Sequence, residues 1–290
     1  MEFQMASAQL FVPDGLDAEA ALARTTHMAI GAHQDDLEIM AYDGIVKCFQ
    51  QTGKWFCGVV VTNGSGSPRD DVYRNYTDEQ MREVRIVEQK KAAVVGEYGS
   101  QILLDFPSKA VKDGGDIRAA GDIAKLLIAA KPEVVYTHNL TDKHDTHIGV
   151  SLKVIEAIRS LPKKDRPKAL YGCEVWRDLD WMVDSDKVAF DCSAHENLQM
   201  ALVCVFDSQI AGGKRYDLAT MGRRRAHATY HTSHATDQTT GITFGMDLTP
   251  LIADDDVDVG DFAQELIRRF ATDVAVRIGP ASPRESYLNI

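Results

Sequence analysis

Residues 28–44 read MAIGAHQDDLEIMAYDG, and few folds accommodate that order of residues. A short apolar run, 28–32, breaks at Gly31-Ala32, and His33, Asp35, Asp36 and Glu38 follow at once. Leu37, Met40, Ala41, Gly44, Ile45, Cys48 and Phe49 then recur at the three-and-four spacing of one helical face. A buried strand therefore ends in a polar turn that opens a helix. In open α/β sheets ligands bind at the carboxyl ends of the strands, so this turn, with its metal-competent side chains, lies where such a fold does its chemistry.

The pattern recurs along the chain. Residues 56–62 (FCGVVVT) form a compact apolar run of the kind buried in a parallel sheet, opening into the loop 63–68. Thr77-Asp78-Glu79 signals a helix start, and that helix ends near Gly96. Strands are predicted at 102–104 and 133–137, with an amphipathic helix at 117–128 between them. The second strand runs into His138-Asn139-Leu140-Thr141-Asp142-Lys143-His144-Asp145-Thr146-His147, and a helix follows directly. This alternation predicts a Rossmann-like α/β fold with a mainly parallel sheet, right-handed crossovers and helices on both faces.

The C-terminal third adds further strands at 169–176 and 187–191, a helix at 198–206 and a last helix bearing Phe262, Leu266, Phe270, Val274 and Ile278. Residues 207–246 read as polar and irregular, and 1–24 as a lead-in with a short helix near 17–24. No repeat or low-complexity linker divides the chain. The expectation is one domain over 1–290, with its core at about 25–210 and a substrate-side extension at 211–290.

The formal net charge of −11 weighs against nucleic acid and anionic membranes, because neither counterion release nor surface attraction would reward the encounter. Five scattered cysteines without a CxxC fit a reducing, cytoplasmic setting better than a disulfide framework or a thiolate zinc site. No apolar run approaches the ~20 residues that span a bilayer.

A hydrolytic zinc site takes three protein ligands and keeps a position for water. His33 and Asp36, three apart across the turn, can face one point, and His147 at the start of the later helix completes a His-Asp-His set. Asp35 is placed as the base beside the water, and His144 as a donor to an oxyanion. The bland alternative for HQDDLE is a solvated acidic first turn, which helix N-termini favour; the second histidine stretch at the same kind of strand end weighs against it. His227, His231 and His234 form a rival cluster, but 228–233 is poor helix material and holds no acid to serve as base.

The stretch Ala32-His33-Gln34-Asp35-Asp36-Leu37-Glu38 resembles the AHPDDE signature of the PIG-L/LmbE family of zinc-dependent N-acetylglucosaminyl de-N-acetylases. His144-Asp145-Thr146-His147 is similar to its HPDH-type motif, Val61-Thr62-Asn63-Gly64 to its LTxG loop, and Asp207-Ser208-Gln209 to its HxSQ element. Arg85-Ile86-Val87-Glu88 resembles its RxxE helix. The likeness spans about residues 25–210. It implies an LmbE-like fold, with His33, Asp36 and His147 holding Zn2+ or Fe2+, Asp35 as general base, and His144 as acid or oxyanion donor. Arg85, Asn63, His138 and Arg215 are the expected substrate contacts. Three departures bear on the substrate: Gln34 replaces proline, Asp145-Thr146 replaces Pro-Asp, and Asp207 stands where many members have histidine.

The function so implied is removal of acetate from an N-acetylamino sugar or its glycoconjugate. The expected partner is that small molecule, with no nucleic acid, no membrane insertion, and homo-oligomerisation left open. A metal phosphoesterase is the alternative enzyme, though two-metal chemistry wants more carboxylates than the second motif offers. A non-catalytic sugar-binding protein on the same scaffold is the other alternative, and the adjacent pair Asp35-Asp36 argues against it.

Overall fold

The computed structural model describes residues 1–281. Its elements run β1 (Gln9–Phe11), α1 (Ala18–Ala23), β2 (His27–Gly31), α2 (Asp36–Met40), α3 (Tyr42–Cys48), β3 (Phe56–Thr62), α4 (Asp78–Val95), β4 (Ser100–Phe106), α5 (Ser108–Lys112), α6 (Arg118–Ala130), β5 (Val134–His138) and α7 (Asp145–Arg159). The later part continues β6 (Ala169–Cys173), β7 (Lys187–Asp191), α8 (Glu196–Cys204), α9 (Asp207–Ile210), α10 (Tyr216–Tyr230), β8 (Ile242–Asp247), α11 (Thr249–Ala253) and α12 (Val259–Ile278).

The strands form one sheet in the order β1-β4-β3-β2-β5-β6-β8-β7. The β4-β3-β2-β5-β6 stretch is parallel throughout, while β1 joins β4 and β8 joins both β6 and β7 in antiparallel fashion. From β2 the chain crosses to β3 on one side, and β5 arrives on the other. The crevice between the ends of β2 and β5 is therefore the switch point of the sheet, where open α/β folds bind ligands. The two polar stretches singled out in the sequence flank that crevice.

Burial explains why β2, β3 and β5 were predictable. Met28, Ala29, Ile30, Val59, Val60, Val61, Val135 and Tyr136 are shut away from solvent, between separate apolar clusters on the two faces of the sheet. Gly44 lets α3 lie close over β5, since a Cβ there would meet the Tyr136 ring at 2.6 Å. Thr77 caps α4 in a reciprocal pair with Gln80, matching the helix-start signal.

Three expectations need correction. The lead-in holds an edge strand, β1, too short for its periodicity to register. Strand β4 is longer than expected. Residues 207–246 are ordered as α9, α10 and β8 rather than irregular. The buried face of α10 carries Thr220, Arg224, His227 and Ala228, so its spacing is helical while its chemistry is polar, and a search for apolar periodicity passes over it. His227 packs against Phe244 of β8, with ring centroids 4.3 Å apart, and His231 lies 5.3 Å from the same ring. No helix among the described residues is long and apolar enough to cross a membrane.

Candidate metal centre and active site

Strand β2 ends at Gly31, and the turn that follows is tight: Asp35 adopts φ 92° as the residue before α2. That left-handed geometry is strained for a non-glycine residue. Two contacts hold it. The His33 N–H donates to Asp36 Oδ2 at 2.6 Å, closing the turn on itself. The buried Arg85 of α4 donates to Gln34 O at 2.6 Å and to Gly64 O at 3.1 Å, binding the turn to the loop after β3. Gly64 itself has φ +66°, and a Cβ there would press on the ends of the Gln34 and Arg85 side chains, so this joint favours glycine.

Three ligand atoms converge from β2's turn and from α7. His33 Nδ1 lies 3.2 Å from His147 Nε2 and 3.3 Å from Asp36 Oδ2, and His147 Nε2 lies 3.4 Å from the same carboxylate oxygen. A tetrahedral ion with bonds near 2.0–2.1 Å has donor-to-donor edges of about 3.3 Å. The triangle is therefore the face that a four-coordinate metal requires, and two imidazoles with one carboxylate suit zinc or ferrous iron. Burial opposes ionisation of Asp36, but His147, His138 and the hydrogen bonds around it hold its carboxyl well below the usual range. Burial also pushes His147 down to about 4, leaving the neutral ring that a metal ligand must be.

His138, Asp142 and His147 form a second convergent trio, but it is wholly buried and shares His147 with the first. It serves as backing. His147 Nδ1 lies 3.3 Å from Asp142 Oδ2, which directs Nε2 toward the first trio. Asp142 also accepts from the main-chain N–H groups of His144 and Trp176, each at 3.2 Å. Burial would raise its carboxyl, yet His147, His138 and the His144 N–H bring it below the ordinary value. The supporting carboxylate thus comes from Asp142, five residues before His147; Asp145, nearer in the chain, is exposed. Replacing Asp142 by asparagine is expected to weaken metal binding by about 10- to 100-fold. Chelator competition measures this, and an unchanged affinity would show that His147 needs no carboxylate behind it.

Asp35 is buried beside the triangle, 3.8 Å from Arg85. Burial, reinforced by Asp36, Glu38 and Glu88, holds its carboxyl well above the usual range, while Arg85 pulls the other way. A carboxylate shifted upward in this way binds a proton more readily than an ordinary one, which suits removal of a proton from water. His144 precedes α7, and its Nδ1 accepts the Thr146 N–H at 3.2 Å. The neutral ring therefore carries its proton on Nε2, and burial together with His33 lowers its pKa and keeps it neutral.

A cavity of about 360 Å³ opens over this centre. It brings together His33, Asp35, Asp36, His144 and Arg85 from the expected set. His147 lies sealed beneath it. His138 lies deeper still: its Nε2 accepts the Ala32 N–H at 2.9 Å and its ring stacks on His147 at 3.8 Å, so it backs the ligands rather than facing substrate. Asn63 folds back on its own loop, accepting the Ser65 N–H at 3.2 Å. Arg215 is exposed and paired with Asp217 at 2.7 Å, away from the cavity lining. Its neighbours Lys214 and Tyr216 line the cavity instead, together with Trp176, Gln209 and Lys112. The residues on either side of Arg215 thus turn to the cavity while Arg215 turns away. Gln34 is buried under Gly64, with a long 3.4 Å hydrogen bond to Thr62 O and its Oε1 unpartnered.

Residues 28–158 match the protein family described as PIG-L, GlcNAc-PI de-N-acetylase. No curated protein matches the chain. Among solved structures, a conserved protein from Thermus thermophilus aligns with a TM-score of 0.60 and 18% identity over 76% of this chain and 93% of its own. The 4-carboxy-2-hydroxymuconate hydratase of Pseudomonas putida aligns with a TM-score of 0.61 and 15% identity, covering 77% of this chain and 95% of that one. For the N,N′-diacetylchitobiose deacetylase of Pyrococcus horikoshii the TM-score is 0.56 and the identity 15%, with 77% and 84% covered. At these identities the structural likenesses establish the fold, and the family match concerns the segment that supplies every residue of the triangle. Residues 28–158 of this chain form a PIG-L family domain.

Proposed function

We propose that the protein is a metal-dependent de-N-acetylase of an N-acetylamino sugar or a conjugate of one. The observation that supports this most is the near-equilateral triangle of His33, Asp36 and His147 with Asp35 beside it at the cavity floor. A zinc or ferrous ion held there supplies Lewis acidity, which lowers the pKa of water and polarises a carbonyl oxygen. Asp35 removes a proton from the attacking water as its oxygen adds to the acetamide carbon. The Nε2–H of His144 donates to the oxyanion that forms, and one such donor is typically worth about 3 kcal/mol. Asp35 then returns the proton to the amine nitrogen as the C–N bond breaks, giving acetate and a free amino sugar. His144 is less suited to that last step, because its Nδ1 is engaged by Thr146 and the ring stays neutral.

The test is acetate release by metal-loaded protein from N-acetylglucosamine, N-acetylgalactosamine, N,N′-diacetylchitobiose and N-acetylglucosaminyl conjugates, with metal content measured on the same sample. Acetate from at least one substrate, lost on chelation and restored by zinc or ferrous ion, is the expected result. A second reading comes from the hydratase that shares the fold: addition of water to an unsaturated acid at the same centre. Loss of enoate absorbance without acetate release from any amide would favour it and remove the deacetylase assignment.

A further inference from the structure

The acids lining the cavity are Asp35 and Asp36, and both are engaged at its floor by Arg85 and the ligand histidines. The outer wall is of opposite character. Lys112, at the end of α5, and Lys214, just before α10, both line the cavity, and neither has a carboxylate within 4.0 Å among the described residues. Lys214 is also held in place. Its Nζ lies 5.0 Å from the centre of the Trp176 ring, which packs edge-on against Tyr216 at 6.1 Å and faces His144 at 6.5 Å. A cation and two aromatic rings thus lead from the cavity mouth to the residue assigned as oxyanion donor. Three other basic residues of this region are committed elsewhere: Arg215 to Asp217, Arg223 to Val175 O, and the buried Arg224 to main-chain carbonyls. The chain as a whole carries a formal charge of −11, so its long-range field repels anions. Two lysines without a carboxylate partner on the wall of one cavity oppose that field locally.

We infer that this wall binds a negatively charged group of the substrate, a carboxylate or a phosphate, on the side away from the acetamido group. The inference rests on the deacetylase reading for the identity of the substrate but not for the existence of the anion site. It narrows the substrate class to N-acetylamino sugars that carry an anionic substituent. Lysine meets such a group as a point charge, without the two-pronged geometry of arginine, so carboxylate and phosphate are both admitted. Trp176 and Tyr216 offer flat apolar surface to the sugar between the two ends.

The experiment compares kcat/KM for acetate release from neutral N-acetylglucosamine, N-acetylglucosamine 1-phosphate and N-acetylmuramic acid. It uses the metal-loaded protein and the Lys112→Gln/Lys214→Gln double variant. One or both anionic substrates should be preferred by about tenfold or more, falling toward parity with the neutral sugar in the double variant, chiefly through KM. The phosphate and carboxylate substrates show which anion is meant. Equal kcat/KM for all three, or a preference that survives the double substitution, overturns the inference. If no sugar releases acetate, the deacetylase reading fails and the anion site is judged by binding. Inorganic phosphate titrated into both proteins by calorimetry should bind the double variant about tenfold more weakly, and equal affinity would rule the site out.

Discussion

Asp35→Asn is expected to leave the metal bound and to lower kcat for amide hydrolysis by about 10³-fold, within the range for loss of a general base. The separation of these two effects follows from the geometry. The three atoms that face one another at 3.2 to 3.4 Å belong to His33, Asp36 and His147, and Asp35 contributes none of them. Its carboxyl is directed to Arg85 and the cavity instead. Asparagine keeps the shape and most of the packing but cannot accept the proton from water. The substitution also removes a buried carboxylate that sits close to Asp36, Glu38 and Glu88, so thermal stability should stay level or rise. A variant that binds metal normally, melts no earlier than the parent and yet is nearly inactive is the expected outcome. Retention of more than a tenth of the parent kcat would assign the base elsewhere. Loss of metal from Asp35→Asn, or its retention at full occupancy by His33→Ala, would instead redraw the ligand set.

How much of this site the sequence disclosed depended on how local each signal is. His33, Asp35 and Asp36 share one turn, and His144 and His147 share another, so each group shows itself at short range. That the two turns meet required only the rule that successive strand ends of a parallel sheet lie on one edge. Asp142 escapes notice as the partner of His147 because the contact spans five residues of irregular backbone, where no periodicity applies. Lys112 belongs to a short helix after β4 that nothing local ties to the metal. Arg85, expected to touch substrate, does border the cavity. Its strongest bonds, however, go to main-chain oxygens of the strained turn, which makes it a brace for Asp35 as much as a wall. Gln34 is explained in the same terms: it fills the space beneath Gly64 that the brace encloses.

The largest effect expected outside the cavity is at Arg224, within the segment whose helix the sequence concealed. Its side chain is 2% exposed and meets no carboxylate among the described residues. Nη1 donates to Gln199 Oε1 at 2.9 Å, and Nη2 donates to Glu38 O at 2.9 Å and Ile39 O at 3.0 Å. The guanidinium also lies 4.9 Å from the centre of the Tyr42 ring. Glu38 and Ile39 sit near the end of α2, a five-residue helix that begins with Asp36, the proposed ligand. A helix so short has few internal bonds and leaves its last carbonyls unpaired, so a cation at that end satisfies them and complements the helix dipole. Arg85 holds the entrance to the ligand turn through Gln34 O, and Arg224 holds its exit. In Arg224→Met the volume is largely kept while three acceptors lose their donors. Hydrogen bonds to a charged group are worth about 1.5–3 kcal/mol each, and relief from burying the guanidinium offsets part of the sum, so a net loss of about 3 kcal/mol is expected. Because the released helix carries Asp36, metal affinity should fall as well, by about tenfold or more, as when other outer partners of metal ligands are removed. Arg224→Lys, which reaches fewer of the acceptors, should fall between the two in both measurements. Thermal unfolding and chelator competition on the same preparations separate the effects: a destabilised variant with metal affinity within about twofold of the parent would reduce Arg224 to a packing residue and leave α2 positioned by the sheet alone.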